Sequence, residues 1–304
     1  MSKAYKILFK RVLSVSFCFI FFLIIYVGNV SSSETSKTFI WRIDSASTHV
    51  FILGSMHLAK QDLYPLSEVI EQSFDQSDVL AVEIDITKED VIQEQFSLIN
   101  RGIYLDGTSL KQILSSKTYD LLNKKLAQSY ISATTFDNYK PWYLAMFLEI
   151  NELVKLGYDP MYGIDYYFLT KAKNNKPIEE LESFDYQINL FDGLSDKDQD
   201  LFLKYTILNL DKLETEISKT IDAWKTGNVS VLEDIIFSSF KEHPELTPIY
   251  QKIIYDRNFN MKDKIETYLN GSKVYFVVVG LGHVIGDKGL IQILSQEGFK
   301  VTQL

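Results

Sequence analysis

Cysteine is all but missing: Cys18 is the single one among 304 residues. That excludes a disulfide scaffold, and it excludes a zinc site built on several thiolates. Proline (6) and glycine (14) are too few for a collagen-like or low-complexity chain. Basic runs are missing too. With 31 bases against 40 acids and a formal charge of −9, nothing could neutralise a phosphate track, so no nucleic-acid partner is expected. Only one long apolar run occurs, Val12–Val27, which excludes a multispan membrane protein. What is present is globular: 46% hydrophobic, 13% aromatic and 23% charged residues, enough to bury a sizeable core.

The apolar run has the dress of an address. Lys3, Lys6, Lys10 and Arg11 precede it without any acid, and GNVSSSETS follows. This pattern predicts a secretory signal peptide over residues 1–33. The alternative is an uncleaved anchor touching the membrane only through residues 12–27, although that run is shorter than the roughly 20 residues a span prefers. Either way the remainder is exported, to the periplasm or the medium, or held at the membrane outside the cytoplasm. Loss of residues 1–33 removes four bases and no acid, moving the charge from −9 to −13, and takes Cys18 with it.

In the body, Phe39–Asp44 and Thr48–Gly54 read as a hairpin around Ser45-Ala46-Ser47. Pro65 opens a predicted helix reaching about Ser77. Val79–Ile86 is a short, nearly continuous apolar strand in which Glu83 and Asp85 share a face by alternation. From about 89 to 269 the apolar spacing is helical, near 89–101, 108–115, 117–129, 141–156, 162–174, 195–209, 211–226, 229–240 and 247–269. One strand, Pro177–Leu181, interrupts it. Lys273–Gly280 is a fully apolar strand, then come a helix at about 287–297 and a strand at Phe299–Gln303. The expected fold is α/β (α+β): one domain over 34–304, with a central mixed sheet from both ends of the chain and a mainly helical insertion at about 89–269.

Four histidines occur, and two obey one rule. Strand Val50–Leu53 runs into Gly54-Ser55-Met56-His57, and strand Val274–Val279 into Gly280-Leu281-Gly282-His283. With 14 glycines and four histidines, chance places fewer than one histidine three residues after a glycine. Glycine would let the backbone turn as each strand leaves the sheet, presenting an imidazole at the carboxyl end, where open α/β sheets bind ligands. A lone Gly-x-x-His is more simply a hydrogen-bonded loop histidine; the matched pair points to a shared site. Glu83, a carboxylate inside an apolar strand, needs a cation, a metal or strong donors, unless that strand lies at a solvated edge. Two histidines and a carboxylate form a set for zinc, manganese or iron. His49 and His243 receive no role. There is no His-Glu-x-x-His helix, no Rossmann glycine spacing, and Ser55 lacks a Gly-x-Ser-x-Gly elbow. The stripe Trp142, Tyr143, Phe147 reads as core.

These pieces resemble the TraB/GumN family, with its PrgY-type pheromone-shutdown and Tiki metalloprotease branches. The resemblance runs through FILGSMHLAKQDLYPL, VLAVEID, GIDYYFLTKAKNNKPIEELESFDYQINLFDGLS, RNFNMKDKI and VYFVVVGLGHVIGDKGLIQILSQEGFKVTQL. It implies a sheet core like the erythromycin-esterase and ChaN-like folds. It also implies a hydrolase that uses a divalent metal, manganese or cobalt in the Tiki branch; with zinc added from the donor set itself, the cofactor expected is one divalent ion (manganese, cobalt or zinc). His57 and His283 match the signature histidines and Glu83 the strand acid, making these three the candidate metal and catalytic residues. Arg257 and Asn258 match an Arg-Asn pair. Arg257 is a candidate for holding a substrate carboxylate or a developing oxyanion, against a plain surface charge. Asp165, Glu182 and Gln187 are candidate partners orienting the imidazoles, or cap and turn residues.

The function expected is an exported metal-dependent hydrolase, most readily a peptidase, acting on a peptide or small molecule. The alternatives are a non-catalytic protein sequestering a peptide or signal, and an esterase on the same site. The two histidines are expected to meet over neighbouring strands, with Glu83 in the same cleft.

Overall fold

The computed structural model describes residues 37–88 and 91–304. The signal or anchor read at residues 1–33 lies outside them. Among the described residues, no helix is long and apolar enough to cross a membrane.

Six strands form one mixed sheet: β1 (Ile40–Asp44), β2 (His49–Ser55), β3 (Val79–Val82), β4 (Ile178–Glu180), β5 (Tyr275–Gly280) and β6 (Lys300–Gln303). Their order is β4-β3-β5-β2-β1-β6. The expected hairpin is present, with β1 antiparallel to β2 and the turn closed by Ser45 N–H donating to Thr48 O at 2.9 Å. β5 runs parallel to both β2 and β3, and β4 runs parallel to β3. The unbroken valine run of β5 follows from this central place, because a strand covered on both faces has no solvent side to alternate towards. β6 pairs with β1 at the far edge and is half exposed. An α/β fold with a mixed sheet is what the sequence led us to expect.

The core beneath the sheet gathers β2, β3 and β5 with Phe74, Phe168, Met261, Ile265 and Leu269 from three surrounding helices. Phe276 on β5 is fully buried, 4.8 Å by ring centroids from Phe168 and 5.5 Å from Phe74. Burial of such a ring stabilises by about 1.5–3 kcal/mol. A second apolar cluster lies within the helices between β3 and β5, with Trp142 wholly buried at its centre and Tyr143 and Phe147 packed against it. The stripe is core.

Local details differ from expectation where caps and turns decide them. The helix placed from Pro65 begins at Glu68 (Glu68–Asp75), because Ser67 caps it by accepting from Ile70 N–H. β3 ends at Val82, so Glu83 lies just past the strand rather than inside it. Asp85 does not join Glu83; it accepts from the Thr87 N–H and hydroxyl and closes its own turn. A helix at Phe184–Asp192 fills a stretch where none was expected, and His283 sits in a helical turn, Leu281–Val284, rather than a loop. The continuous helix expected over 247–269 is three pieces: Thr247–Tyr250, a wide π-type turn at Gln251–Tyr255, and Asp256–Leu269.

Candidate functional site

The parallel register sets Ser55 of β2 beside Gly280 of β5, and Val82 of β3 beside Val278. The carboxyl ends of three adjacent strands therefore deliver His57, Glu83 and His283 to one edge of the sheet. All three meet around Gly280. A methyl group built there would lie 3.2 Å from His57 Nε2, 3.3 Å from Glu83 Oε1 and 3.7 Å from His283 Cδ2. The Nε2 of His283 is 3.9 Å from the same Glu83 oxygen. Neither motif glycine has a positive φ, contrary to the turning role read from sequence. They serve close approach: Gly280 leaves room for the two rings and the carboxylate, and a side chain on Gly54 would collide with the Phe39 ring at 2.2 Å.

Each imidazole is gripped through Nδ1. His57 Nδ1 lies 2.7 Å from Asp165 Oδ2, and Asp165 Oδ1 accepts from the Ser55 hydroxyl at 3.0 Å. Asp165 reaches this position from the first turn of the helix Ile164–Ala172. Just before it, Gly163 packs so closely that a Cβ would fall 2.2 Å from the His57 carbonyl oxygen. His283 Nδ1 lies 2.6 Å from Asn258 Oδ1, while Asn258 Nδ2 donates to Lys288 O at 2.7 Å. A carbonyl only accepts, so the amide is oriented with its oxygen towards His283. An ionised Asp165 likewise only accepts. In both neutral rings the proton is therefore on Nδ1, and the Nε2 lone pair is free.

Glu83 is held by three donors. Gly280 N–H reaches Oε1 at 2.7 Å, Gln187 Nε2 reaches Oε2 at 3.0 Å, and Arg257 pairs with the same Oε2. Arg257 is only 3% exposed, which overturns the surface-charge alternative. Its Nε and a terminal nitrogen also bond Glu182, at 3.0 and 2.6 Å, and its other terminal nitrogen donates to Ile253 O at 3.1 Å. These bonds turn the guanidinium towards the protein's own carboxylates, so the expected grip on a substrate carboxylate or oxyanion is replaced by a grip on Glu83. Gln187 bridges Glu83 and Glu182.

The electrostatics follow from this wiring. Burial would raise the Glu83 carboxyl, but Arg257, both histidines and the Gly280 N–H hold it well below the usual carboxylate range. Burial would lower His57, yet the charge and hydrogen bond of Asp165, with help from Glu83, outweigh it and Arg257 and raise its pKa. His283 has a neutral amide in place of a carboxylate partner. Burial, then Arg257, lower it to about 3 against the pull of Glu83.

A three-ligand metal centre is not pre-assembled. Among the described residues, no group of three or more His, Cys, Asp or Glu side chains could hold a metal ion as they stand. The Glu83 oxygens serve Arg257, Gln187 and Gly280. The donor chemistry does fit a divalent ion: two free imidazole Nε2 atoms beside a carboxylate oxygen that carries one backbone N–H. Each ring is also braced through Nδ1, as metal-binding histidines commonly are.

The structure brings together His57, Glu83, His283, Arg257, Asn258, Asp165, Glu182 and Gln187. It leaves His49 and His243 elsewhere: His49 edges onto Phe51, and His243 stands against Tyr205. Sequence reasoning set Ser55 aside for want of a nucleophile elbow, and no motif marked it as a partner of Asp165.

A mixed α/β sheet with paired Gly-x-x-His strand ends around a buried Glu–Arg pair defines the class of the molecule. The chain belongs to the TraB/PrgY/gumN family, which it matches over residues 39–303. It is 27% identical to YbaP of Escherichia coli K12, over 81% of this chain and 88% of that protein. It is 20% identical to a metalloprotease TIKI homolog of Amphimedon queenslandica, covering 90% of this chain and 63% of that protein. A metalloprotease TIKI homolog of Nematostella vectensis is 21% identical over 87% of the chain and 66% of its own length. No solved structure matches the chain.

Proposed function

We propose that this chain is an exported metal-dependent hydrolase of peptides. His57 and His283 would bind a divalent ion (manganese, cobalt or zinc) through Nε2, with Glu83 Oε1 as the carboxylate donor. One observation carries the reading: both rings are held through Nδ1 by oxygen partners, and they converge with Glu83 on the space above Gly280. Charge supports it. Glu83 and Glu182, both buried, share one permanent cation, Arg257, and a buried carboxylate in excess favours a further cation. The distant TIKI relatives are named metalloproteases, which favours peptides over esters. Export rests on the charged and apolar pattern of residues 1–33.

When bound, such an ion lowers the pKa of a water molecule and polarises a carbonyl. The chain's own part is to orient and to insulate. Asp165 and Asn258 aim the two rings, Arg257 keeps Glu83 ionised in a buried place, and Gln187 spaces the two glutamates.

The test is metal analysis of residues 34–304 after loading with manganese, cobalt or zinc, with melting and hydrolysis of peptide and ester pools. About one equivalent of metal, chelator-sensitive melting and metal-restored peptide cleavage are expected, each lost in His57→Ala and His283→Ala. Those variants leave the buried Asp165 or Asn258 without its ring, so each should cost about 1–3 kcal/mol even when metal-free. Equal melting of the wild type with and without metal would make the histidines structural. Turnover of esters alone would replace the peptidase by an esterase.

A further inference from the structure

Asp165 holds the end of β2 and the turn beyond it. One carboxylate oxygen takes the Ser55 hydroxyl and the other faces His57 Nδ1, so a single side chain grips the last strand residue and the histidine two positions on. The grip is enclosed: Ser55 is 2% and Asp165 6% exposed. Water cannot readily replace either partner. Gly163 presses on the His57 carbonyl, and Ile164 N–H donates to Met56 O at 3.0 Å, so the backbone between these residues is held as well. A loop this constrained leaves the His57 ring one choice, which nitrogen carries its proton.

We propose that Asp165 and Ser55 form a tautomer lock, a pair of positioning residues that keeps the neutral His57 ring protonated on Nδ1 and its Nε2 lone pair turned into the cleft. Asp165 sets the tautomer because a carboxylate accepts through either oxygen. Ser55 makes the setting depend on charge. Its hydroxyl donates to Oδ1, its one side-chain hydrogen-bond partner among the described residues; when residue 165 carries an amide, keeping that O–H satisfied favours oxygen on the Ser55 side, which turns the amide nitrogen towards His57. An N–H there needs an acceptor, so His57 would surrender its Nδ1 proton and carry one on Nε2. This is the wrong-tautomer effect known for an aspartate-to-asparagine change beside a catalytic histidine. It gives a reversal that simple loss of a contact does not. With Ser55 also removed, the amide is free to turn, and its oxygen can face Nδ1 again.

The consequence for metal binding rests on the function proposed above; the tautomer itself does not. Nitrogen NMR of the His57 ring, recorded metal-free at alkaline pH with the ring neutral, reads the lock directly. The wild type should carry its proton on Nδ1, Asp165→Asn on Nε2, and Ser55→Ala/Asp165→Asn on Nδ1 again. Cobalt affinity should fall at least about tenfold in Asp165→Asn, in the range for lost partners of metal-binding histidines, and return in large part in the double variant. An Nε2 proton in the wild type overturns the lock without any variant having to fold. So does an Nδ1 proton in Asp165→Asn, or an Nε2 proton persisting in the double variant. Tautomers that switch as stated while cobalt affinity stays constant would uphold the lock and remove His57 from the metal site.

Discussion

A methyl group on Gly280 would stand among His57 Nε2, Glu83 Oε1 and His283 Cδ2, the nearest at 3.2 Å. The backbone there has φ −52°, which alanine adopts freely, so the cost falls on the cleft and not on the strand. Gly280→Ala is expected to keep its stability within about 1 kcal/mol and to weaken metal binding at least about tenfold, checked by calorimetry and metal titration. Arg257→Met should do the reverse of sparing the fold. It leaves Glu83 and Glu182 buried without their cation and should cost about 3–5 kcal/mol in denaturant titration at neutral pH. The sign with pH follows from Glu83. Its folded pKa is depressed, so its stabilisation is present above the unfolded value of about 4.3 and fades below it. The gap between wild type and Arg257→Met should therefore narrow below about pH 4; a constant gap would show that the pair is not what the variant lost. His283 adds a slope of its own. Its folded pKa is lowered to about 3, so in chelator its contribution is present above about 6.5, the unfolded value, and is lost progressively towards pH 3. His283→Gln should flatten that part of the stability profile. At this scale the two histidines and Glu83 were legible from spacing and from a charge in an apolar run. Arg257 was legible as a residue but not in its role, because its partners lie 174 and 75 positions away. Ser55 carried no signal, since a serine beside a strand end is ordinary until Asp165 is seen next to it.

The helix Phe184–Asp192 shows how an element escapes notice. Phe184, Ile188 and Phe191 have helical spacing and are buried, yet nine residues between a short strand and a glycine are too few for the period to stand out. Its start is fixed by Ser183, whose side chain accepts from Tyr186 N–H at 3.2 Å. Ser183→Ala should cost about 1 kcal/mol by loss of the cap. Because this helix carries Gln187 to Glu83, the same variant should also weaken metal binding; unchanged affinity would mean Gln187 holds its place without the cap. The π-type turn at Gln251–Tyr255 was invisible for a different reason: a wide turn uses the same residues as an ordinary one. It matters because Ile253 O in that turn receives Arg257. Long helices and the hairpin were legible because their apolar periods are unambiguous over many residues.

For the whole molecule, composition and the like style of its two ends were enough to expect one mixed sheet, and the paired motifs were enough to make β2 and β5 neighbours. The rest of the order depends on contacts over hundreds of residues that no local pattern encodes. Among the described residues, β2 and β3 each bond to β5 and not to each other. A chain ending at Asn270 would keep β1 with β2 and β3 with β4 as two separate pairs, and isolated pairs are marginal in water. Such a truncation should lose protease resistance and cooperative melting altogether, not merely activity; a cooperative transition in it would mean that the helices fold without the sheet. The sheet's order also sets a timetable. The strand that joins the two halves is made after β1, β2, β3 and β4, so on the ribosome the strand pairs on either side wait for it before the sheet and its cleft can close.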